Sequence, residues 1–308
     1  MSFSTDVKEE LARVEAVCSH CDRALLAAIV RIEGSLFLSG KGMYRLEISI
    51  DAPYVARLVL RLLHDTYGLE TSLTVRSSVL HKTPNFLISV PTQPKLSDAL
   101  KDMGVLGDEG LQLSVAPSLV AKQCCAAAYM RGAFLGGGFV ADPRGDFHFE
   151  ITVESQQLAQ SLVDILESKD IHAHISHRRS SYIVYLKSGE AILQFLAFVG
   201  AHRSALLMEN VRVVKSVRND VNRQANADFA NTMKKTNASI DQRLAMRELV
   251  RHYGMENLPP ALREIIRLRA MYPEDSLKEL GERANPPLSK SAVYHRMRRI
   301  EQMASELK

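Results

Sequence analysis

At 308 residues, with 46% apolar and 24% charged side chains, the chain exceeds one ordinary domain and is too rich in core material to be disordered. Residues 1–10 are polar and acidic and no run approaches a bilayer span, so no leader and no membrane anchor are expected, and the protein is expected to be cytoplasmic. The net charge of +4 is uneven: residues 1–200 hold 19 Lys+Arg against 22 Asp+Glu and residues 201–308 hold 20 against 13, which points the C-terminal third towards a polyanion.

Residues 3–17 read as an amphipathic helix, with Val7, Leu11, Val14 and Val17 at helical spacing. Residues 21–34, CDRALLAAIVRIEG, come next and are echoed by residues 125–138, CAAAYMRGAFLGGG, at a constant offset of 104. Two copies are too few for a solenoid and fit a pseudo-dimeric domain instead. Ala24, Ala27 and Ala28 in one copy and Ala126, Ala127, Ala128, Gly132 and Gly136 in the other leave little side chain between backbones. Small residues at helical spacing let two helices approach closely, so the copies are expected to pack on each other across a pseudo-two-fold axis.

The segments after the two copies repeat as well. Residues 36–38 and 44–50 form a hairpin around the SGKG turn at 39–42, with a helix from Asp51 (its N-cap) and strands at 70–76 and 85–90 after it. A short helix at 96–103 closes this half. The second half has strands at 147–153, 172–177 and 182–186 and helices at 156–168 and 188–198. Glu47 matches Glu150 one residue short of the earlier offset, so one loop differs by a residue. Arg45, Arg76, His81, Lys82, His148, His177, Arg178 and Arg179 lie on these strands and turns; such a face could track a DNA backbone or be an ordinary solvated sheet.

Residues 206–253 read as helical but rich in asparagine, a mediocre helix former, which implies either breaks or polar contacts with a partner. Pro259 and Pro260 then punctuate the chain. Three helices come after them: 261–271, a second opened by the capping box Ser276-Leu277-Lys278-Glu279, and a third capped by Ser289. The third buries Val293, Met297 and Ile300 and leaves Lys290, Ser291, Tyr294, His295, Arg298 and Arg299 outside. Short polar groups near its start suit base edges and the arginines suit phosphates.

Residues 26–34, LAAIVRIEG, and 130–138, MRGAFLGGG, resemble the LAGLIDADG motif of homing endonucleases. In that family the paired helices form the interface, strands beyond them saddle the DNA, and the eighth motif position holds the metal-binding acid. Glu33 stands there in the first copy and Gly137 in the second. The stretch AYMRGAFLGGGFV, with the C-terminal segment, resembles the WhiA family over nearly the whole chain; that family comprises regulators of Gram-positive bacteria linked to sporulation, cell division and chromosome segregation. The resemblance implies an α+β architecture. Residues 1–204 form a degenerate LAGLIDADG-like domain of two αββαββα halves (1–104 and 118–204), residues 205–258 a helical linker, and residues 259–308 an all-α helix-turn-helix domain.

It also implies a sequence-specific transcriptional regulator at the nucleoid, whose partners are double-stranded DNA and a protein co-regulator. The candidate DNA contacts are Ser276, Lys278, Ser289, Lys290, Ser291, Tyr294, His295, Arg298 and Arg299. Asn222, Arg223, Asn226, Asn231, Lys234 and Lys235 match a family motif and add further candidates. DNA cleavage needs one acid from each motif helix to hold divalent metal, and only Glu33 is present, so no nuclease activity and no cofactor are expected. An active metal-dependent endonuclease and a protein-interaction scaffold stay open as alternatives. Cys18, Cys21, Cys124 and Cys125 have the donor type of a zinc site. Their places at the starts of apolar helices read instead as small buried hydrophobes, with no metal site.

Overall fold

The structure, a computed structural model, describes residues 2–40, 42–77, 84–107 and 110–307. The chain forms two compact units, Met1–Lys215 and Ser216–Lys308.

In the first unit, α1 (Phe3–Leu11) is capped by Ser2 and precedes α2 (Cys21–Glu33). A hairpin of β1 (Gly34–Leu38) and β2 (Tyr44–Ile50) leads to α3 (Pro53–Tyr67). Then come β3 (Ser72–Ser77), β4 (Pro84–Val90) and α4 (Pro94–Asp102). A small ribbon, β5 (Leu106–Gly107) with β6 (Gly110–Leu111), and the short α5 (Pro117–Val120) connect the halves. The second half is α6 (Gln123–Gly137), β7 (Gly138–Val140), β8 (Phe149–Val153), α7 (Gln156–Glu167), β9 (His174–Arg178), β10 (Ser181–Leu186) and α8 (Gly189–Val199).

The repeat read from the sequence is therefore present element for element. Both halves fold as antiparallel four-stranded sheets of the same order, β1-β2-β4-β3 and β7-β8-β10-β9. Even the register repeats: Gly34 pairs with Ile48 and its counterpart Gly138 with Ile151. The odd residue falls in the β1–β2 hairpin. Alternation along β2 buries Leu46, Ile48 and Ile50, and alternation along β8 buries Phe149, Ile151 and Val153. In the second half Phe149 stacks on Phe134 at 5.5 Å and meets Phe195 at 4.5 Å between centroids.

The helices owe their limits to local chemistry. Ser155 and Ser188 accept the Leu158 and Ala191 amides and so cap α7 and α8. Gly68 and Gly200 stop α3 and α8 at φ values of 60° and 95°, which glycine adopts without strain. Two sequence expectations need correction. The first helix ends at Leu11 rather than 17; a turn at 12–14 tucks Val14 against the core and leaves Val17 77% exposed. Asp51 does not cap α3: Ala52 takes that place ahead of Pro53, while the Asp51 carboxylate accepts a 2.8 Å bond from Asn85.

Helices α2 and α6 are the centre of this unit and lie side by side. Cys18, just before α2, meets Cys125 at the start of α6 with sulfurs 3.6 Å apart. Midway, a Cβ on Gly132 would stand 2.2 Å from the Leu25 carbonyl oxygen. At the far end, one on Gly136 would stand 3.3 Å from Glu33 Cγ. Start matches start and end matches end, so the two helices run in the same direction.

In the second unit the C-terminal part of α9 (His202–Tyr253) packs with α10 (Pro260–Met271), α11 (Leu277–Glu282) and α12 (Lys290–Ser305). Met246 and Leu249 of α9 share one core with Ile265, Leu280, Val293, Met297 and Ile300. The asparagine-rich stretch contains no break; α9 is one helix of 52 residues.

The Gly132→Ala variant is expected to lose about 1–3 kcal/mol of stability, because the added methyl meets backbone rather than a movable side chain. Gly145→Ala, whose Cβ would meet nothing nearer than 3.6 Å, is expected to change it by less than about 0.5 kcal/mol. Denaturant unfolding of both checks the difference.

Candidate nucleic-acid interface

The three-helix segment is built around a tight turn. Gly281 in α11 accepts a 2.8 Å bond from the Leu288 amide, and a Cβ there would lie 2.3 Å from the Leu288 carbonyl oxygen. Only glycine lets the chain between α11 and α12 fold back this closely. Ser276 and Glu279 form the reciprocal capping box the sequence announces, and Ser289 Oγ accepts the Ala292 amide at 3.2 Å. Arg296 ties α12 to α10 through Glu264 at 2.9 Å.

Helix α12 is two-faced. Val293, Met297 and Ile300 are 0–1% exposed. Lys290, Ser291, Tyr294, His295, Arg298 and Arg299 are all solvent-exposed, and the Tyr294 and His295 rings meet edge to face at 5.7 Å. Lys278 lies 3.6 Å from Glu282 on the surface of α11. Asn222, Arg223, Asn226, Asn231 and Lys234 are exposed along α9, where Arg223 bonds Asp220; the Lys235 side chain lies outside the described residues.

A groove of about 620 Å³ brings Lys234, Ser276 and Lys290, from three elements, to one lining. Its floor depends on a residue that sequence pattern does not single out. Arg269, 4% exposed, reaches the Asp275 carbonyl at 2.5 Å and Gln242 at 3.1 Å, and Ser239 donates to the Pro273 carbonyl at 2.7 Å. These bonds hold the turn before α11 against α9. A buried arginine donating to carbonyls costs less than an unpaired one, though burial still lowers its pKa.

The sheets of the first unit are less suited to a phosphate track. Arg45 stacks on Phe37 at 4.6 Å and pairs with Glu47 at 3.5 Å, and His148 meets Glu150 at 3.2 Å. Arg178 and Arg179 are exposed at the β9–β10 turn, while His81 and Lys82 lie outside the described residues.

The two motif acid positions end up very different. Glu33 closes α2 beside a cleft of about 50 Å³ shared with Lys8, Asp51 and Gly136. Burial pushes its carboxyl above the usual range, against the pull of Lys8 and with help from Asp51 and Glu154. Lys8 donates to the Gly136 carbonyl at 3.3 Å. Gly137 faces β8: a Cβ there would be 2.4 Å from the Thr152 carbonyl oxygen. The β8 backbone of the same half leaves no room at 137 for a side chain, let alone a carboxylate, unless the strand shifts.

The four cysteines, which local sequence context places as separate core residues, converge. Their sulfurs all lie within 4.8 Å of one another at the N-terminal end of the α2–α6 pair.

Paired, parallel motif helices between two matched sheets, with a capped helix-turn-helix in the second unit, define a helix-turn-helix protein with a LAGLIDADG-like domain. Family models match in three parts: the WhiA N-terminal LAGLIDADG-like domain over residues 19–106, the WhiA LAGLIDADG-like domain over 126–218, and the WhiA C-terminal HTH domain over 221–304. A protein of Heliobacterium modesticaldum called "Probable cell division protein WhiA" is 42% identical over 306 residues, 99% of this chain and 96% of that one. A namesake from Desulforamulus reducens is 40% identical over 315 residues, 100% and 97% of the two chains. The crystal structure of full-length DUF199/WhiA from Thermatoga maritima matches with a TM-score of 0.61 at 25% identity over 99% of both chains. The chain belongs to the WhiA family. Among the described residues no helix is long and apolar enough to cross a membrane.

Glu33 generates a pH prediction. An unfolded glutamate ionises near pH 4.3 and the folded one higher, so the folded state holds an extra proton in between and loses stability as pH rises through that window. Glu33→Gln removes this loss. Its melting temperature is expected to exceed the parent's at pH 8 and to converge with it below about pH 4.

Proposed function

We propose that the chain is a sequence-specific, double-stranded-DNA-binding transcriptional regulator acting in cell division, chromosome segregation or sporulation, without nuclease activity. The observation that carries this reading is the exposed face of α12. Lys290, Ser291, Tyr294, His295, Arg298 and Arg299 project together from a rigid bundle whose opposite side is closed by Val293, Met297 and Ile300. In this reading Lys290, Ser291, Tyr294 and His295 read base edges in the major groove. Arg298, Arg299 and Lys278 hold phosphates, and the capped helix starts at Ser276 and Ser289 aim backbone amides at them. Lys234 and Lys235, with Asn222, Arg223, Asn226 and Asn231, extend the contact along α9.

The first unit acts as a scaffold. With Glu33 half-buried beside Lys8 and position 137 closed by Thr152, its two motif helices do not supply one acid each to hold metal between scissile phosphates. It adds weak DNA contact through the exposed Arg178 and Arg179, or docks a protein co-regulator. The curated relatives' name supports a role in cell division, and the work would be done at the nucleoid in the cytoplasm.

Fluorescence anisotropy of the full chain on genomic fragments, over a salt series and with or without magnesium, tests the proposal. A few fragments are expected to be retained selectively and left intact. Arg298→Ala or Arg299→Ala is expected to weaken binding on all sequences and flatten the slope of log affinity against log salt by about 1. His295→Ala is expected to narrow the gap between preferred and unrelated sequences by about 1–3 kcal/mol. Equal affinity for every fragment would sink the sequence-specific reading, and cutting that needs magnesium and Glu33 would restore the nuclease.

A further inference from the structure

Among the described residues, the four cysteines form a chemically reactive cluster that the proposed function leaves unused. Cys18 sits in the turn before α2, Cys21 begins α2, and Cys124 and Cys125 lie in the first turn of α6. All four are free thiols. Cys18 Sγ is 3.5 Å from Cys21 Sγ and 3.6 Å from both Cys124 and Cys125 Sγ, and no pair among the four exceeds 4.8 Å.

We propose that these four thiolates form a mononuclear, tetrahedral binding site for a zinc-like metal ion, stapling the two half-domains together.

Three arguments support the site over a plain cluster of small hydrophobes. The first is convergence. Cysteine used as filler packs its sulfur against carbon, with no reason for four sulfurs to face one point. A zinc ion with bonds of about 2.3 Å holds its sulfurs about 3.8 Å apart, close to the spacing already present. The second is the donor set: four soft thiolates without a carboxylate or imidazole among them suit zinc, and the sulfurs stand too close together to surround a multi-iron cluster. The third is electrostatic. Two helices, α2 and α6, begin here in parallel without side-chain caps, and their N-terminal dipoles favour the negative charge that four thiolates around a divalent ion retain. Cys21 and Cys125 are 3% exposed, whereas Cys18 and Cys124 are half-buried, which leaves an entry path.

The staple would sit at the end of the helix pair opposite Glu33, about 20 Å along α2. One pair of ligands comes from each half, so the ion would close the pseudo-dimer at the end where its helices begin.

The test uses the full, tag-free chain kept reduced. Elemental analysis of protein grown with zinc is expected to find about one zinc per chain. After removal of that metal, Co²⁺ is expected to give intense thiolate-to-cobalt charge-transfer bands and the strong visible bands of a tetrahedral S₄ site. Both signals are expected to vanish in Cys18→Ser/Cys124→Ser, which alters only the two half-exposed positions. Metal removal is expected to lower the thermal midpoint of the parent and leave the variant's unchanged. A metal-free parent that gives only the weak bands of hydrated Co²⁺ would overturn the proposal, as would a disulfide between any two of the four under reducing conditions. Neither of those readings requires the variant to fold.

Discussion

The contact on which the first unit depends is a backbone-to-backbone approach of α2 and α6. At Gly132 the separation is set by the Leu25 carbonyl, and alanines at 24, 27, 28, 126 and 128 keep it close on either side. Such contact gains dispersion energy along its length because no side chain spaces the helices apart. It also fixes much else. Each sheet starts at the residue after its helix, Gly34 or Gly138, so the separation of the helices sets the separation of the sheets. The motif positions 33 and 137 and the four cysteines are brought to the two ends of the same seam.

Charge is deployed differently in the two units. On the first unit's sheets Arg178 and Arg179 are exposed at the β9–β10 turn, while Arg45 is answered locally by Glu47. Pairs of that kind at a surface are worth little to stability, but they cancel the long-range field that would draw a polyanion. On α12 Lys290, Arg298 and Arg299 are exposed, while Arg296 of the same helix pairs with Glu264 and, within the bundle, Asp275 pairs with Arg283. Positive charge left exposed on α12 is what suits that helix to the DNA-contacting role proposed for it, and the +7 balance of residues 201–308 is its sequence-level trace.

Much of this is legible in the sequence because it is written in local or repeated patterns. The matched segments at 21–34 and 125–138 announce the paired helices, and their small residues announce the closeness of the pair. Ser276-Leu277-Lys278-Glu279 and Ser289 state two helix starts through their own capping chemistry. The hidden part depends on contacts between distant segments. Asp51 has the look of a cap, yet Asn85, on β4, holds it. Arg269 carries a charge that pattern reading assigns to solvent, yet it is buried because acceptors from α9 and from the turn before α11 meet it. The cysteines illustrate the limit best: Cys21 and Cys125 match in the repeat, but Cys18 and Cys124 do not match each other, and only the parallel packing of two helices shows that all four share a point. The continuity of α9 is hidden for another reason. Its asparagines are individually poor in a helix, but those at 219, 222, 226, 231 and 237 are exposed and do not break it.

The crowding at Gly137 also limits substitution there. A single substitution that placed an acid there would drive its first carbon into the Thr152 carbonyl, so the acid would arrive only with the strand displaced and the half-domain weakened. Strand β8 would have to move first, and on its own that movement brings no benefit. A two-acid centre in this fold therefore requires coordinated changes in two elements, α6 and β8. The surface of the unit can vary freely while packing keeps an acid out of position 137.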